Sequence, residues 1–338
     1  NLVMVAVVTA FVGVGYNVDA VNAAAFSRNT DKPIFVDTSS VITGDLVIVN
    51  DKTGISSRRA SIVVNNDGSQ LTFQEGDLFA SDIDDDYTAW ATASNSETSI
   101  INFNGGNVTL NAVSPYGAQA LNSRPTTQNF NNTGNVNINS IIEGGGVGRS
   151  NSIGINLVGQ SVSFASSVEE LNVNVIGTGR FSGDALDSNG TVGIRLAGAP
   201  ETKATLNAKN INVKVIVGQD YSQTIQLGPT ESKDYQIIFD REKAEKLGTE
   251  FAVSYGLENK STTVFGEDTN TSIVVKNGYW NAVGISNDSF YVDYDKGEPK
   301  DYSEHYASNL KILGNLNVSV EGSSIGAKHG YEYTKNPL

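Results

Sequence analysis

The segment Leu171-Asn-Val-Asn-Val-Ile176 alternates apolar and polar side chains with a period of two. That period predicts a β-strand with one face buried and the other in water. The same pattern returns along the chain, each time closed by Gly or Asn. The further copies are Asn107–Val113, Asn135–Ile141, Ile211–Val217 and Leu316–Val320. The chain therefore predicts many short, half-buried strands.

A second strand type, with the pattern Gly-Ile-x-Leu, accompanies the first. The two-part unit recurs at Val136, Leu171 and Ile211, and its drifting separation of roughly 35–40 residues is typical of solenoids, in which each coil contacts only its neighbours. Asn also returns at the same inner position of the motif, where stacked amides form side-chain ladders. A β-sandwich has many short strands too, but it gives no reason for that recurrence. Strands of the second type are Ile153–Val158, Val192–Ala197, Thr224–Leu227 and Ala282–Ile285.

The composition supports an all-β chain and excludes several classes of function. Of 338 residues, 39% are hydrophobic and 18% are charged, and the apolar residues are mostly Val and Ile, which favour strands. A formal net charge of −14 repels nucleic acid, so we exclude DNA and RNA as partners. The lack of cysteine excludes thiol catalysis and thiolate metal sites, and it is typical of bacterial exported chains.

Residues 1–25 match the later part of a secretion signal. The apolar run Leu2–Val12 is shorter than the about 20 residues that a membrane-spanning helix needs. Ala23 and Ala25 fit the small-residue site of a signal peptidase, so we expect cleavage after Ala25, with the basic start of the signal missing from the sequence. The alternative is a buried N-terminal strand. A signal places the rest of the chain outside the cytoplasm, and no further membrane-spanning segment is predicted.

The repeats resemble the passenger domains of bacterial autotransporters and related filamentous adhesins. The resemblance covers about residues 100–330 and rests on the alternating strands, the Gly-Ile-x-Leu pattern, the lack of cysteine and the abundance of Gly, Asn, Ser and Thr. It implies an all-β fold, a right-handed parallel β-helix (β-solenoid) with loop insertions. It also implies an extracellular location on the bacterial cell surface, at the outer membrane.

We expect three segments along the chain. Residues 1–25 would be the partial signal peptide, residues 26–100 an N-terminal cap and early coils, and residues 101–338 the passenger-like parallel β-helix. Within the last segment, Asp240–Gly248 has the N-cap residue, the C-terminal lysine and the closing glycine of a short helix inserted between coils.

An aromatic cluster near the C-terminal end is the predicted binding surface. Tyr and Trp are enriched at protein and glycan contacts because they combine a large apolar area with a polar group. The alternative is a packed cap or loop bundle. The predicted binding residues are Tyr279, Trp280, Tyr291, Tyr294, Tyr302 and Tyr306.

The same region has a weak likeness to an EF-hand calcium loop. Carboxylates occupy four of the ligand positions, but the ligand at position 5 and the glycine at position 6 are missing. Calcium is therefore a subsidiary hypothesis, and no other cofactor is expected. We interpret the acidic run Asp82–Asp86 as a solvated loop, with weak calcium binding as the alternative, and His305 and His329 as exposed or edge residues. The calcium candidates are Asp293, Asp295, Asp301 and Glu304.

Together these patterns predict a surface-exposed or secreted bacterial adhesin that binds a cell-surface protein or glycan without catalysis. Two alternatives stay open. A secreted polysaccharide lyase or hydrolase on the same fold would need converging carboxylates and a basic residue in one groove. A structural surface-layer or fibre component would polymerise without any ligand.

Overall fold

The computed structural model describes most of the chain between residues 16 and 323, and every element in that part is a β-strand. It contains no apolar helix long enough to cross a bilayer. The described ranges are 16–17, 29–30, 34–36, 38–51, 60–64, 67–85, 87–94, 98–123, 127–131, 134–143, 151–177, 190–197, 202–237, 253–279, 281–288, 290–292 and 304–323.

Three parallel sheets contain nearly all of these strands. Sheet A consists of β1 (Tyr16–Asn17), β3 (Ile34–Val36), β6 (Ala60–Val64), β9 (Ala89–Ser94), β12 (Gly117–Ser123), β15 (Asn151–Val158), β18 (Val192–Ala197), β23 (Ser254–Asn259) and β26 (Ala282–Asn287). Sheet B consists of β2 (Asn29–Thr30), β5 (Leu46–Asp51), β8 (Leu78–Ile83), β11 (Val108–Ser114), β14 (Asn135–Ile142), β17 (Glu170–Gly177), β20 (Asn210–Val217), β25 (Asn270–Asn277) and β30 (Asn315–Glu321). Sheet C consists of β4 (Ser40–Thr43), β7 (Gln70–Gln74), β10 (Ile100–Asn104), β13 (Thr127–Phe130), β16 (Ser161–Phe164), β19 (Lys203–Leu206), β24 (Thr262–Phe265) and β29 (Asn309–Ile312).

The chain visits the three sheets in a fixed cycle. From β3 to β20, each strand of sheet A is followed by one of sheet C and then one of sheet B, and each strand pairs in parallel with its counterpart one coil earlier. Leu171 pairs with Val136 below it and Ile211 above it, as the repeat predicts. The fold is a parallel β-helix, and its handedness stays a prediction. The sheets run unbroken across residue 100, since Leu71 pairs with Ile101.

Aromatic rings form a stack inside sheet C. The ring centroids of Phe73 and Phe103 are 5.4 Å apart. Phe130 continues the stack at 4.3 Å from Phe103 and 4.5 Å from Phe164, with nearly parallel planes. Rings at this distance gain stacking energy beyond that of their buried area. The inner side of sheet C therefore contains a continuous stack of four phenylalanine rings along the axis of the β-helix.

Glycines of the Gly-Ile-x-Leu pattern form a column in sheet A. They face the inner side chains of sheet B across a narrow gap. A Cβ added to Gly193 would clash with Val213 Cγ1, and it would lie 2.5 Å from the carbonyl oxygen of Gly256 and 3.2 Å from Val215 Cγ2. Since real Cβ atoms do not approach backbone this closely, the gap admits only glycine here. The column members are Gly154, Gly193, Gly256 and Gly284.

The coil before Gly154 fills the same gap between sheets A and B with side chains of different sizes. The register places Ala120 of β12 in line with Gly154. In that coil Ile138 and Ser140 of sheet B align with Val173 and Val175, the two side chains nearest to Gly154 in the next coil. Serine thus replaces one of the two valines, and its Oγ accepts a hydrogen bond from the backbone N–H of Ala120 at 2.9 Å. Each glycine of the column faces two β-branched side chains of sheet B.

Asparagine side chains form ladders between coils, on the outward side of the strands. Asn174 Nδ2 donates to Asn139 Oδ1 at 3.0 Å, and Asn139 Nδ2 donates to Asn111 Oδ1 at 2.9 Å. A second ladder in sheet B joins Asn212 Nδ2 to Asn172 Oδ1 at 2.9 Å. The predicted ladders are confirmed, but the predicted inner position of Asn is wrong, because the amides lie on the outward side and Val and Ile fill the core.

A β-hairpin crosses the outward side of sheet B. Its strands β21 (Tyr221–Gln226) and β22 (Ser232–Ile237) are antiparallel. Beneath it, an apolar stripe runs up the sheet, one residue per coil. Ile225, Leu227 and Tyr235 of the hairpin form one buried cluster with that stripe, and Gln226 O accepts a hydrogen bond from Asn111 Nδ2 at 3.0 Å. The stripe consists of Ile83, Val113, Ile141 and Ile176.

The hairpin corrects one sequence prediction. The pattern of Thr224–Leu227 predicts a strand of the Gly-Ile-x-Leu type, but most of this segment belongs to β21, outside sheet A. Its apolar residues contact the outside of sheet B, because the core of the β-helix is already filled by the inner residues of the three sheets. Tyr221 lies at the base of the hairpin with Lys214 Nζ 5.3 Å from its ring centroid, and burial raises the pKa of its hydroxyl.

Tyr235→Ala is expected to loosen the hairpin. Tyr235 is 1% exposed, so truncation leaves a cavity over the apolar stripe and should lower the free energy of unfolding by about 2–3 kcal/mol. Denaturant unfolding measures the loss, and increased binding of a hydrophobic dye reports the uncovered stripe. The control is Gln236→Ala, on the exposed side of the same strand. Equal stability of the two variants would show that the buried ring of Tyr235 contributes nothing to stability.

Several predicted features fall wholly or partly outside the described residues. Most of the predicted signal does so, but Tyr16 and Asn17 form β1, which pairs with Ile34 and Phe35 of β3. This pairing agrees with the alternative of an N-terminal strand. The predicted helix Asp240–Gly248 also lies outside the described residues.

Candidate functional site

The outward side of sheet C is uncharged along its first five strands. In β7, Leu71 and Phe73 point into the core while Thr72 between them is half-buried at the surface. The same alternation holds in the neighbouring strands, so the register gives the outward residues. We call the following set the uncharged face: Val41, Thr43, Gln70, Thr72, Gln74, Ile100, Asn102, Asn104, Thr127, Asn129, Ser161 and Ser163.

Sheet C as a whole lacks acidic residues. None of its eight strands contains Asp or Glu, although the chain has 37 of them and a net charge of −14. Its charged residues are Lys203 in β19 and Lys311 in β29, both beyond the uncharged face. The uncharged face is therefore a neutral patch on an acidic protein, and the first six strands of sheet A share its lack of charged residues.

Hydrogen bonds between coils fix the polar side chains of this face. Asn102 Nδ2 lies 3.5 Å from Thr72 Oγ1, and Asn129 Nδ2 donates to Asn102 Oδ1 at 3.0 Å. Ser163 Oγ donates to Asn129 Oδ1 at 2.8 Å. A parallel rung joins the next column, where Asn131 Nδ2 donates to Asn104 Oδ1 at 3.2 Å. Rungs repeat about every 4.8 Å along the axis, and columns are about 6.8 Å apart along the strands.

The ladder leaves free hydrogen-bonding capacity on each amide. A side-chain amide has two N–H donors and two acceptor lone pairs. In Asn129 the ladder uses one donor, toward Asn102, and one lone pair, toward Ser163. One donor and one acceptor remain, and the side chain is only half-buried. Each amide of the ladder can therefore both donate to and accept from a ligand.

Turn residues hold the edge of this face in register. Asp77 N–H donates to Asp45 Oδ1 at 2.8 Å, Asn107 N–H donates to Asp77 Oδ1 at 2.7 Å, and Asn135 N–H donates to Asn107 Oδ1 at 2.9 Å. Each side chain thus satisfies a backbone donor of the next coil, which would otherwise need water. The turn between sheets C and B is fixed coil by coil, so the strands of the uncharged face cannot slide past one another.

The later strands of sheet A contain a buried ion-pair cluster on their outward side. Glu258 is 3% exposed. Its Oε1 lies 3.0 Å from Lys260 Nζ, and its Oε2 lies 3.5 Å from Arg195 Nε. Both carboxylate oxygens are held by cations, so the group links β18 to β23. An acid–base site of the kind that cleaves polysaccharides needs two carboxyls close together, and this cluster of three residues contains a single carboxyl.

The predicted aromatic residues are partly described. Tyr279 is 7% exposed, its backbone N–H donates to Asn277 Oδ1 at 3.0 Å, and its ring lies against Gly218. Tyr291 belongs to β27 (Phe290–Val292) and Tyr306 to β28 (Glu304–Tyr306), which form an antiparallel ribbon. Trp280, Tyr294 and Tyr302 lie outside the described residues, so a binding role for this cluster stays a prediction.

The calcium candidates are also mostly beyond what the structure describes. Asp293, Asp295 and Asp301 lie outside the described residues, and Glu304 is the first residue of β28, opposite Val292. Across the part of the chain that is described, no group of three or more His, Asp or Glu side chains is placed to hold a metal ion. Calcium binding by the C-terminal region therefore stays a prediction.

The interpretation of the acidic run Asp82–Asp86 as a solvated loop is wrong for its first members. Asp82 lies at the inner side of β8 and is fully buried, and Asp84 is 1% exposed. Asp82 Oδ1 accepts from Asn50 Nδ2 at 2.5 Å, and Asp82 Oδ2 accepts from the backbone N–H of Trp90 at 2.8 Å. The carboxylate thus accepts hydrogen bonds from buried donors where the chain passes from β8 to β9.

Comparison of the chain with protein-family models, curated proteins and solved structures finds no match in any of the three.

Sequence reasoning missed the uncharged face, although a signal for it exists. Each strand of the inner Phe stack contains a triplet of inward residue, small polar residue and Phe. Examples are Leu71-Thr-Phe73, Ile101-Asn-Phe103 and Val162-Ser-Phe164. When these triplets are aligned on their shared phenylalanine, the polar residues fall in one column. This alignment needs only the sequence.

Proposed function

We propose that this chain is a non-catalytic recognition protein of the bacterial cell-surface adhesin type, and that the uncharged face of sheet C is its recognition surface. The observation that supports this proposal is the neutral array of amides and hydroxyls that hydrogen bonds join from coil to coil across β7, β10, β13 and β16. Five consecutive strands of sheet C contain no Asp or Glu, and their outward side chains are mostly amides and hydroxyls.

The geometry of the β-helix suits recognition at many points. Because the coils are stacked in register, equivalent side chains repeat along the axis at a fixed spacing. A repeated weak contact gains affinity when several copies bind one long partner. The ladder also fixes the side chains before binding, which lowers the entropy that binding costs. Secretion and surface exposure belong to the proposal through the predicted signal and the resemblance to passenger domains.

The test compares two substitutions of the same residue type on different faces. Asn129→Lys puts a charge in the middle of the uncharged face, whereas Asn212→Lys puts the same charge in an equivalent ladder on sheet B, where Asn212 is exposed. Labelled protein is titrated onto whole bacterial cells and cultured epithelial cells, and binding is read by flow cytometry. We expect saturable binding that Asn129→Lys weakens at least tenfold and Asn212→Lys leaves unchanged.

Circular dichroism and denaturant unfolding establish beforehand that both variants are folded. Absence of saturable binding by the unsubstituted protein on every cell type would overturn the proposal. So would equal binding by the two variants, because recognition would then use another surface.

A further inference from the structure

We infer that the ligand of the uncharged face is a neutral polysaccharide, bound through its hydroxyl groups by the amide and hydroxyl ladder of β7, β10, β13 and β16. The inference rests on the proposed function and names the chemistry of the ligand. It is carried by the charge, the hydrogen-bonding groups and the extent of the face.

The charge of the molecule selects against ionic ligands. A net charge of −14 repels polyanions such as acidic glycans and nucleic acids. A cationic ligand would need carboxylates within the face, and the strands of sheet C contain none. The carboxylates of Asp45 and Asp77 at its edge already accept hydrogen bonds from the backbone of the next coil. Lys311 lies in the last strand of the sheet, and Lys203 pairs with Ser161 at the end of the face away from β4. What fits the face is a ligand without charge.

The side chains of the face are those of a polar ligand site and differ from those of a protein interface. Protein interfaces are centred on Trp, Tyr, Arg and apolar anchors in a dry core. The uncharged face has none of those three residue types, and its apolar members are Val41 and Ile100. A second copy of this chain would also bring a net charge of −14 against the same charge. A protein ligand is therefore disfavoured.

Sugar hydroxyls match the remaining hydrogen-bonding capacity. A hydroxyl donates one hydrogen bond and accepts two. Asn102 and Asn129 each keep one N–H donor and one lone pair after the ladder is made. Such a donor and acceptor side by side can pair with neighbouring hydroxyls of a sugar ring. The pairing recurs at the next coil, so a ligand with repeating hydroxyls meets repeating partners.

The extent of the face favours a polymer over a single sugar. From β4 to β16 the sheet has four strand spacings, which is about 19 Å at about 4.8 Å each. One coil offers few contacts, and single hydrogen bonds to water-exposed groups contribute about 1 kcal/mol or less. Useful affinity therefore needs several sugar units bound at once, as one chain provides.

Affinity electrophoresis and pull-down test the inference on the full chain. The neutral probes are a β-glucan, mannan, xylan and chitin, and the anionic probes are polygalacturonate and heparin. We expect retardation by at least one neutral polymer that persists from low to high salt, and none by the anionic polymers. Asn129→Asp should weaken that binding at least tenfold, and the matched control Asn212→Asp should leave it unchanged.

The outcomes separate this inference from the proposed function. If Asn129→Lys abolishes binding to cells but no neutral polymer binds, the face recognises something else and only the inference fails. If a neutral polymer binds and both Asp variants bind it equally, the polysaccharide site is elsewhere and the inference is wrong. Dimerisation in analytical ultracentrifugation that Asn129→Lys abolishes would identify a second copy as the occupant and also overturn it.

Discussion

Gly193→Val should prevent the protein from folding. A Cβ at this position would collide with Val213 and lie 2.5 Å from the carbonyl oxygen of Gly256. Neither neighbour can move freely, since Val213 is an inner residue of β20 and the Gly256 carbonyl belongs to the backbone of β23. Overpacking of a core usually costs about 1–3 kcal/mol, and a backbone collision adds to that. We expect a loss of about 4 kcal/mol or more, which is a large share of the stability of an ordinary domain.

The measurement is soluble yield followed by circular dichroism and denaturant unfolding. Gly159→Ala is the control, because a Cβ there would meet no atom within 4 Å. Its φ of +75° still makes alanine unfavourable, by about 1 kcal/mol. A Gly193→Val protein that unfolds at the same denaturant concentration as the Gly159→Ala protein would show that the gap between sheets A and B is wider than these contacts imply.

Phe130→Ala is expected to have the next largest effect. Phe130 is fully buried and stacks on Phe103 and Phe164 at once. Truncation removes two ring contacts and leaves a cavity in the middle of sheet C, at a cost of about 3–5 kcal/mol. The cavity cannot close easily because the strands on either side are fixed in register by their hydrogen bonds.

Denaturant unfolding followed by far-UV circular dichroism measures this loss. Thr127→Ala, on the outward side of the same strand, should change stability by less than about 0.5 kcal/mol. Phe103 and Phe164 should also lose their stacking on the central ring, which shifts the near-UV signal. A loss below about 1 kcal/mol for Phe130→Ala, under the range usual for a buried phenylalanine, would mean that the stack contributes little to the core.

Much of the fold is predictable from the sequence because two of its three strand types have a clear period. The alternating strands form sheet B, and most strands of the Gly-Ile-x-Leu type form sheet A. The third type is harder to recognise. Gln70–Phe73 has the composition of a strand, but four or five residues are too few to establish a period. Each coil therefore has a third strand, that of sheet C, which the two-part repeat does not indicate.

The local sequence pattern gives a wrong prediction at two places where contacts between distant residues determine the structure. Thr224–Leu227 alternates like its counterparts, but it follows a complete coil and folds back onto sheet B. Asp82 lies in an acidic run that predicts solvent exposure, yet its carboxylate satisfies Asn50 and the Trp90 backbone in the interior. Neither partner belongs to the acidic run, and the hydrogen bonds exist only once the coils have stacked.

The candidate site could not be predicted from any one segment. The uncharged face is made of residues some 30 positions apart, such as Thr72, Asn102 and Asn129, and each is ordinary in its own strand. What makes them a surface is the shared absence of charge across coils. The aromatic cluster around Tyr291 and Tyr306 is easier to notice because it is contiguous, and its role stays a prediction.

The hairpin of β21 and β22 has a consequence for the order of events during synthesis. It leaves the column after β20, yet it covers residues as early as Ile83 and comes within contact distance of Val47. Ribosomes deliver these early coils more than a hundred residues before the hairpin, with their apolar stripe bare. The apolar stripe of the nascent chain therefore stays exposed until residue 237 has been synthesised. Aggregation is most favoured during that interval, and a chaperone would be needed most then.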